Sequence, residues 1–304
     1  MTQMRSIAVL GRIPPDIRSR LEPEVSFVDA DGLEAMTVDA RNAITHGLTS
    51  AMGGASADVL ALLPGLQVIV SIGAGSDRFD MDGLDQRGIT LRTTPDIMTE
   101  DTAECAVALL FAALRNVATN DAFVRRGDWG NGRADLGWRV SGRRVGIVGL
   151  GRIGSRVASK LDALGCDVAY TGRGKKDVPW RFAGSVAALA EAVDVLVLTC
   201  SGGEETRGIV TRDVLTALGP EGFLINVSRG SVVNEAALID ALEQGRIAGA
   251  ALDVFENEPA LDPRFAALPN CVLSPHAAVF THENRRDLLA ELRHLLNLTD
   301  GGHH

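Results

Sequence analysis

Three residues of unlike chemistry, Arg229, Glu258 and His276, each fall just past a stretch that reads as a β-strand. Arg229 follows a strand ending at Val227, Glu258 one ending at Val254, and His276 one ending at Ser274. In open α/β sheets ligands bind beyond the carboxyl ends of the strands, so these side chains are expected to converge. A cation, a carboxylate and an imidazole in one place suit the reduction of a carbonyl acid. His276 would protonate the developing alkoxide and Glu258 would stabilise the imidazolium. Arg229 would hold the substrate carboxylate and polarise its carbonyl. Singly, each also fits a plainer role: a solvated turn for Arg229, a loop charge ahead of Pro259 for Glu258, a helix-proximal ring for His276. The joint spacing favours the active-site reading. His282 and His294 read as surface residues of the last helix. Without a His-x-x-x-His pattern or paired cysteines, no metal site is expected.

A second constellation is Gly149-Leu150-Gly151-Arg152-Ile153-Gly154. It follows an apolar strand and opens a helix whose Ile153, Val157, Leu161 and Leu164 form a stripe, which is the context a dinucleotide-binding loop requires. Gly149 would permit the tight turn, Gly151 the approach of a pyrophosphate, and Gly154 close helix–strand packing. Arg152 and Ile153 belong to the same cofactor-binding turn. An Asp or Glu about 20 residues on normally meets a free ribose 2′-hydroxyl. Here the next strand ends in Thr171-Gly172-Arg173-Gly174-Lys175-Lys176. Replacing a carboxylate by a guanidinium favours a 2′-phosphate, so NADP(H) is the expected cofactor, with NAD(H) possible. A solvated basic turn is the plainer alternative. Cys200 ends a further strand beside the cofactor, as a small packed residue rather than a nucleophile.

The elements that must position these groups are legible as alternating strands and helices. The first half offers strands at Ser6–Leu10, Val25–Val28, Asn42–Thr45, Gln67–Ser71 and Ile89–Thr93, with helical stretches such as Asp16–Leu21 and Ala57–Leu63 between them. One long helix is expected from Thr99 to Arg126, followed by a Gly-, Asp- and Arg-rich arm, Gly127 to Gly142. A second series reads Arg144–Gly149, Asp167–Thr171, Asp194–Thr199, Gly222–Val227, Gly249–Val254 and Cys271–Ser274. The last helix, Thr281 to Leu298, carries Leu288, Leu292, Leu295 and Leu296 on one face, with Thr281 as N-cap. Such alternation predicts two doubly wound parallel sheets, one nested in the other.

Composition agrees. In 304 residues, 46% are hydrophobic and 23% charged, which excludes disorder and fibrous architectures. The net charge of −9 argues against nucleic acid or an anionic membrane surface as partner. No apolar run approaches the ~20 residues of a membrane span, and no secretory signal is read at the amino terminus. The four scattered cysteines, Cys105, Cys166, Cys200 and Cys271, read as buried thiols of a reducing cytosol, so a cytoplasmic location is expected.

Four ordered motifs now carry a family resemblance. Val145 to Gly154, Asn226-Val-Ser-Arg-Gly-Ser-Val-Val-Asn234, Ala251-Leu-Asp-Val-Phe-Glu-Asn-Glu-Pro259 and Ser274-Pro-His276 together resemble the D-isomer-specific 2-hydroxyacid dehydrogenases. Within that family the chain is most similar to the NADPH-dependent glyoxylate/hydroxypyruvate reductases. The resemblance implies Arg229, Glu258 and His276 as the active-site residues and Asp253 near the nicotinamide carboxamide. It implies that Ser71-Ile-Gly-Ala-Gly75, through Gly73 and Ala74, binds the substrate carboxylate by backbone N–H groups, with Arg229 and His276. It also implies a flavodoxin-like substrate domain, residues 1–98 with 281–304, into which a Rossmann cofactor domain, 99–280, is inserted, with the catalytic cleft between them. A twofold dimer built through the cofactor domain is expected from the same resemblance. The residues Ala277-Ala278-Val279-Phe280 and Thr45-His46-Gly47-Leu48, the latter read as the end of a strand facing the cleft, depart from the usual pattern and would reshape the pocket.

Two rivals stand beside this reading. A related enzyme acting on formate has no hydroxyl to deprotonate and little use for the pair Glu258 and His276. A nucleotide-sensing binding protein, corepressor-like on the same scaffold, could keep every one of these residues.

Overall fold

The structure, a computed structural model, describes residues 4–76 and 78–298. The tail Gly301–His304, and with it the end of the expected substrate domain, lies outside those residues. The chain divides into two compact units, Met1–Met98 with Phe280–His304 and Thr99–Val279. The second is inserted in the sequence of the first.

In the first unit five parallel strands, β1 (Arg5–Val9), β2 (Val25–Val28), β3 (His46–Ser50), β4 (Val68–Ile72) and β5 (Thr90–Thr93), lie in the order β2-β1-β3-β4-β5. This is the flavodoxin-like doubly wound order. One strand differs from the sequence reading. Asn42–Thr45 ends a short helix and its turn, and β3 begins only at His46. The Ile44 and Leu48 side chains are both buried, so apolar content alone does not locate the strand. The segment 45–48 therefore lies at the amino end of β3, opposite the end at which ligands bind, which corrects the cleft-facing expectation for His46.

The second unit holds seven parallel strands: β6 (Arg144–Val148), β7 (Asp167–Thr171), β8 (Arg181–Phe182), β9 (Val195–Leu198), β10 (Phe223–Asn226), β11 (Gly249–Leu252) and β12 (Cys271–Leu273). Their order is β12-β11-β10-β9-β6-β7-β8, the dinucleotide-binding arrangement with its switch point between β6 and β9. Parallel strands covered on both faces are apolar throughout, and β9 and β10 are buried at every position. Alternate residues of β9 serve opposite faces. Leu196 and Leu198 join a core with Leu224, Leu238 and Leu242, whereas Val195 and Val197 join one with Leu110, Ile147 and Leu161.

The expected helix 99–126 is two helices, Pro95–Leu114 and Val117–Arg125. Asn116 between them takes a left-handed φ of 53°. The returning arm seals the break: Trp138 N–H donates to the Leu114 carbonyl at 2.6 Å, and Asn116 Nδ2 to the Leu136 carbonyl at 3.3 Å. Helical periodicity extends past Leu114, but the arm that satisfies the Leu114 carbonyl ends the helix there. The last helix, His282–Leu295, is capped as expected by Thr281 Oγ1, which accepts from Asn284 N–H.

His46 anchors that last helix within the first unit. Its Nδ1 lies 3.0 Å from Arg5 Nη2 and 2.9 Å from Thr45 Oγ1, while Arg5 Nη1 donates to the Leu296 carbonyl at 2.9 Å. A guanidinium only donates, so Nδ1 carries a lone pair and the imidazole is neutral. Burial, and then the Arg5 charge, hold the His46 pKa below its ordinary 6.5. The unfolded chain therefore takes up this proton more readily than the folded one. The resulting stabilisation is complete above pH 6.5 and is lost as pH falls through the folded-state value. Between pH 7.5 and 5.5 (about two units, bracketing an ordinary histidine), calorimetric Tm should fall more steeply in the parent than in His46→Gln. Parallel slopes would reject this role.

Candidate active site

The dinucleotide loop is defined by what its glycines exclude. Gly149, at φ +93°, sits where a Cβ would meet Cys200 Cα at 2.6 Å, and a Cβ on Gly154 would meet the Gly149 carbonyl oxygen at 2.2 Å. Both positions are closed to side chains by packing. Gly151 is different, since a Cβ there would find nothing within 4 Å. It faces open space, the cradle a pyrophosphate needs. The helix Arg152–Ala163 starts at Gly151 with no side chain capping it, the kind of terminus that suits an anion.

That open space belongs to a cleft of about 710 Å³ at the β6–β9 switch point. Gly149, Gly151, Thr171, Gly172, Arg173 and Cys200 line it, so six of the sequence-assigned cofactor residues meet at one surface. Arg173 has no hydrogen-bond or ion-pair partner among the described residues. Burial pushes the Cys200 thiol up to about 11, which keeps it protonated and fits a packing residue. The shape, the open cradle and the cationic rim all fit an NAD(P) dinucleotide.

Arg229, Glu258 and His276 do not line this cleft. They stand past the carboxyl ends of β10, β11 and β12 of the same sheet. His276 Nδ1 lies 2.7 Å from Glu258 Oε2, and both side chains are half-buried or more. A carboxylate accepts, so Nδ1 carries the proton and Nε2 is the nitrogen left for a reactant. Glu258 Oε1 accepts from Phe255 N–H at 2.8 Å. Burial alone would raise the Glu258 pKa. The His276 hydrogen bond and charge, the Phe255 amide and the Arg229 charge outweigh it, and the carboxyl ends below its ordinary range. Arg229 reaches back to the Ser228 carbonyl at 2.8 Å, while Asn226 Nδ2 holds the Arg229 carbonyl at 3.1 Å.

His276 occupies this position through Asp253. Its backbone is left-handed, φ 54°, a costly conformation outside glycine. The His276 amide donates to the Asp253 carbonyl at 2.8 Å. The Asp253 carboxylate, 1% exposed, accepts from Ser274 Oγ, from Ala277 N–H at 2.9 Å and from Ala278 N–H at 3.1 Å. Asp253 thus organises the turn that carries His276, a role the sequence did not suggest. Two further residues escaped notice. Glu235 Oε1 accepts from Glu256 N–H at 2.7 Å, and Gly230 lies where a Cβ would meet Phe255 C at 1.8 Å. Together they hold the Glu258 loop against the Arg229 turn. Their only sequence signal is their place beside the Asn226–Asn234 motif.

In the first unit, Gly73 follows β4 with φ +121°. Its amide donates to Thr94 Oγ1 at 3.0 Å, and Thr94 N–H returns a bond to the Gly73 carbonyl at 2.9 Å. The Gly73 N–H expected for a substrate is therefore engaged within the unit. Among the described residues no group of three or more His, Cys, Asp or Glu could hold a metal, and no helix is long and apolar enough to cross a membrane.

Comparison with known proteins agrees with this geometry. Residues 107–278 match the family described as D-isomer specific 2-hydroxyacid dehydrogenase, NAD binding domain. A 2-ketogluconate reductase of Gluconobacter oxydans is 40% identical over 287 residues, which span 94% of this chain and 92% of that protein. A glyoxylate/hydroxypyruvate reductase A of Arabidopsis thaliana is 40% identical over 290 residues, 93% of this chain and 92% of its own. The crystal structure of an NADPH-dependent glyoxylate/hydroxypyruvate reductase from Sinorhizobium meliloti, in complex with NADP and malonate, superposes with a TM-score of 0.86. It is 36% identical, covering 95% of this chain and 91% of that one. A dinucleotide cradle, a His–Glu pair with an arginine on the same sheet edge, and relatives matched across nearly their whole length lead to one conclusion: the chain belongs to the D-isomer-specific 2-hydroxyacid dehydrogenase family.

Proposed function

We propose that this protein uses NADP(H) to interconvert a small 2-oxo acid and its D-2-hydroxy acid, reducing glyoxylate or hydroxypyruvate. The His276–Glu258 pair, 2.7 Å apart on the sheet edge that also carries the dinucleotide loop, is the observation that carries this reading. When bound, the reduced nicotinamide supplies the hydride. Arg229 binds the substrate carboxylate and polarises the carbonyl. His276 Nε2 gives its proton to the carbonyl oxygen, and Glu258 stabilises the imidazolium beforehand. In the first unit, the substrate-binding domain of this reading, Ala74 offers its amide to the substrate carboxylate. Gly73 contributes its left-handed turn rather than its own N–H, which Thr94 takes.

The formate rival gains nothing from a carboxylate paired to the histidine. The sensor alternative differs in turnover: steady loss of NADPH absorbance with glyoxylate or hydroxypyruvate supports the enzyme, and binding without turnover supports a sensor. The four cysteines, scattered along the chain as free thiols, suit the reducing cytosolic setting of this reading. The reading also includes a homodimer through the cofactor domain. Trp129 and Leu136 on the arm, 71% and 94% exposed, and Val117 and Val124 on the adjoining helix offer apolar surface for it.

His276→Ala should lower kcat by about 10²–10⁴-fold with little change in cofactor affinity, the contribution typical of a positioned general acid. Glu258→Gln should act more gently. It keeps the size of the side chain and removes its charge, so kcat should fall by less than in His276→Ala; a variant with the parental kcat, with chemistry still limiting, would remove Glu258 from this role. Arg173→Ala should weaken NADPH far more than NADH, since only the former carries a 2′-phosphate, whereas equal losses would contradict the cofactor assignment. Light scattering at micromolar concentration should give the mass of a dimer; a monomer there would end that part of the reading.

A further inference from the structure

The basic turn after β7 contains two glycines, and residues 172–177 are all exposed. Such a segment has little packing of its own to hold a guanidinium in one place, and freezing it on a ligand costs conformational entropy. Yet the turn is tied down at its far end. Tyr170, the only tyrosine in the sequence, is 1% exposed, its ring packed against Phe182 at 5.4 Å between centroids. Its hydroxyl meets Lys176 twice, accepting from the Lys176 amide at 2.6 Å and donating to the Lys176 carbonyl at 3.3 Å. The Lys176 ammonium crosses in turn to the dinucleotide loop, donating to the Leu150 carbonyl at 2.5 Å. Gly172 lies beside that same residue, where a Cβ would stand 3.9 Å from Leu150 N.

The three cations of the turn are therefore not equivalent. Lys176 is committed to a backbone carbonyl, whereas Arg173 and Lys175 have no partner among the described residues. We propose that Tyr170 and Lys176 are positioning residues for cofactor choice: they close the Thr171–Lys176 segment into a fixed loop, docked on Leu150, that presents Arg173 to a 2′-phosphate. The inference rests on the NADP(H) reading above and deepens it. Discrimination then depends on a preorganised donor as well as on the presence of a guanidinium. A phenolic hydroxyl on a buried ring suits this task, because the ring is fixed by the core and the hydroxyl both donates and accepts.

Tyr170→Phe keeps the buried ring and removes both contacts to Lys176, whose backbone groups are exposed and can turn to water. Lys176→Met removes the tie to Leu150 from the other side. Calorimetric titration of each purified variant with NADPH, NADH, adenosine 2′,5′-bisphosphate and adenosine 5′-monophosphate separates the phosphate subsite from the rest of the cleft. Each variant should weaken the two 2′-phosphorylated nucleotides by about 3–10-fold, the worth of one or two solvent-facing hydrogen bonds, and their unphosphorylated counterparts by much less. Steady-state kcat/KM should show the same loss of NADPH-over-NADH selectivity. In an Arg173→Ala background, Tyr170→Phe should cost nothing further, because it acts through that guanidinium. Equal weakening of phosphorylated and unphosphorylated nucleotides, or a full additional loss in the Arg173→Ala background, would overturn the inference. If Arg173→Ala abolishes selectivity while Tyr170→Phe and Lys176→Met leave it intact, this inference alone fails. If Arg173→Ala leaves selectivity unchanged, the cofactor reading fails with it.

Discussion

A buried carboxylate must be paired, and the pairing of Asp253 shapes the carboxyl edge of the second unit where the candidate site lies. Isolated in the interior, that charge would be strongly penalised. It is satisfied by Ser274, Ala277 and Ala278, residues that bracket His276. These bonds, with the His276 amide on the Asp253 carbonyl, offset the left-handed backbone that His276 adopts. The ring is thereby held where Glu258 can accept its Nδ1–H. Removing any one of the donors would leave a buried acceptor short and release the turn that carries the imidazole.

Close backbone approach is the second constraint. Gly230 lets the Arg229 turn touch the Phe255–Glu256 backbone, and Glu235 pins the Glu256 amide from the start of the helix Glu235–Glu243. Arginine and carboxylate come from different strand ends but share one rigid contact. The same logic governs the dinucleotide loop. Gly149 and Gly154 are filled by neighbouring backbone, and Gly151 alone is left open. Packing decides which glycine in the motif faces a ligand.

The second sheet divides the chemistry along its carboxyl edge. The cleft at β6, β7 and β9 has the shape and rim to fit a dinucleotide, and the ends of β10, β11 and β12 carry the arginine, the carboxylate and the imidazole. Because all seven strands run parallel, their carboxyl ends share one edge, and a single sheet brings residues 149 and 276 to it. Order within the edge comes from the switch between β6 and β9, which opens a crevice where the chain direction of growth reverses.

Much of this was legible from local pattern. The Gly149–Gly154 motif, the apolar strands of the second unit and the helix cap at Thr281 are signals carried by residues near one another in sequence, so periodicity and spacing suffice to read them. The places of Arg229, Glu258 and His276 past the carboxyl ends of their strands were legible because each follows a recognisable apolar run. What tertiary structure alone decided depends on distant partners. The break at Asn116 follows from an arm that returns about twenty residues later, where Trp138 N–H satisfies the Leu114 carbonyl and the Leu136 carbonyl accepts from Asn116. The start of β3 at His46, not Asn42, is set by pairing with β1 and β4, which override local apolar content. Asp253 as organiser, the Thr94 hold on Gly73 and the tie from Lys176 to Leu150 rest on hydrogen bonds between residues more than twenty apart. Sequence spacing specifies which elements form and which end of them is reactive. Only the folded chain specifies which donor meets which acceptor, because that depends on distances of a few tenths of an ångström between segments with no local relation.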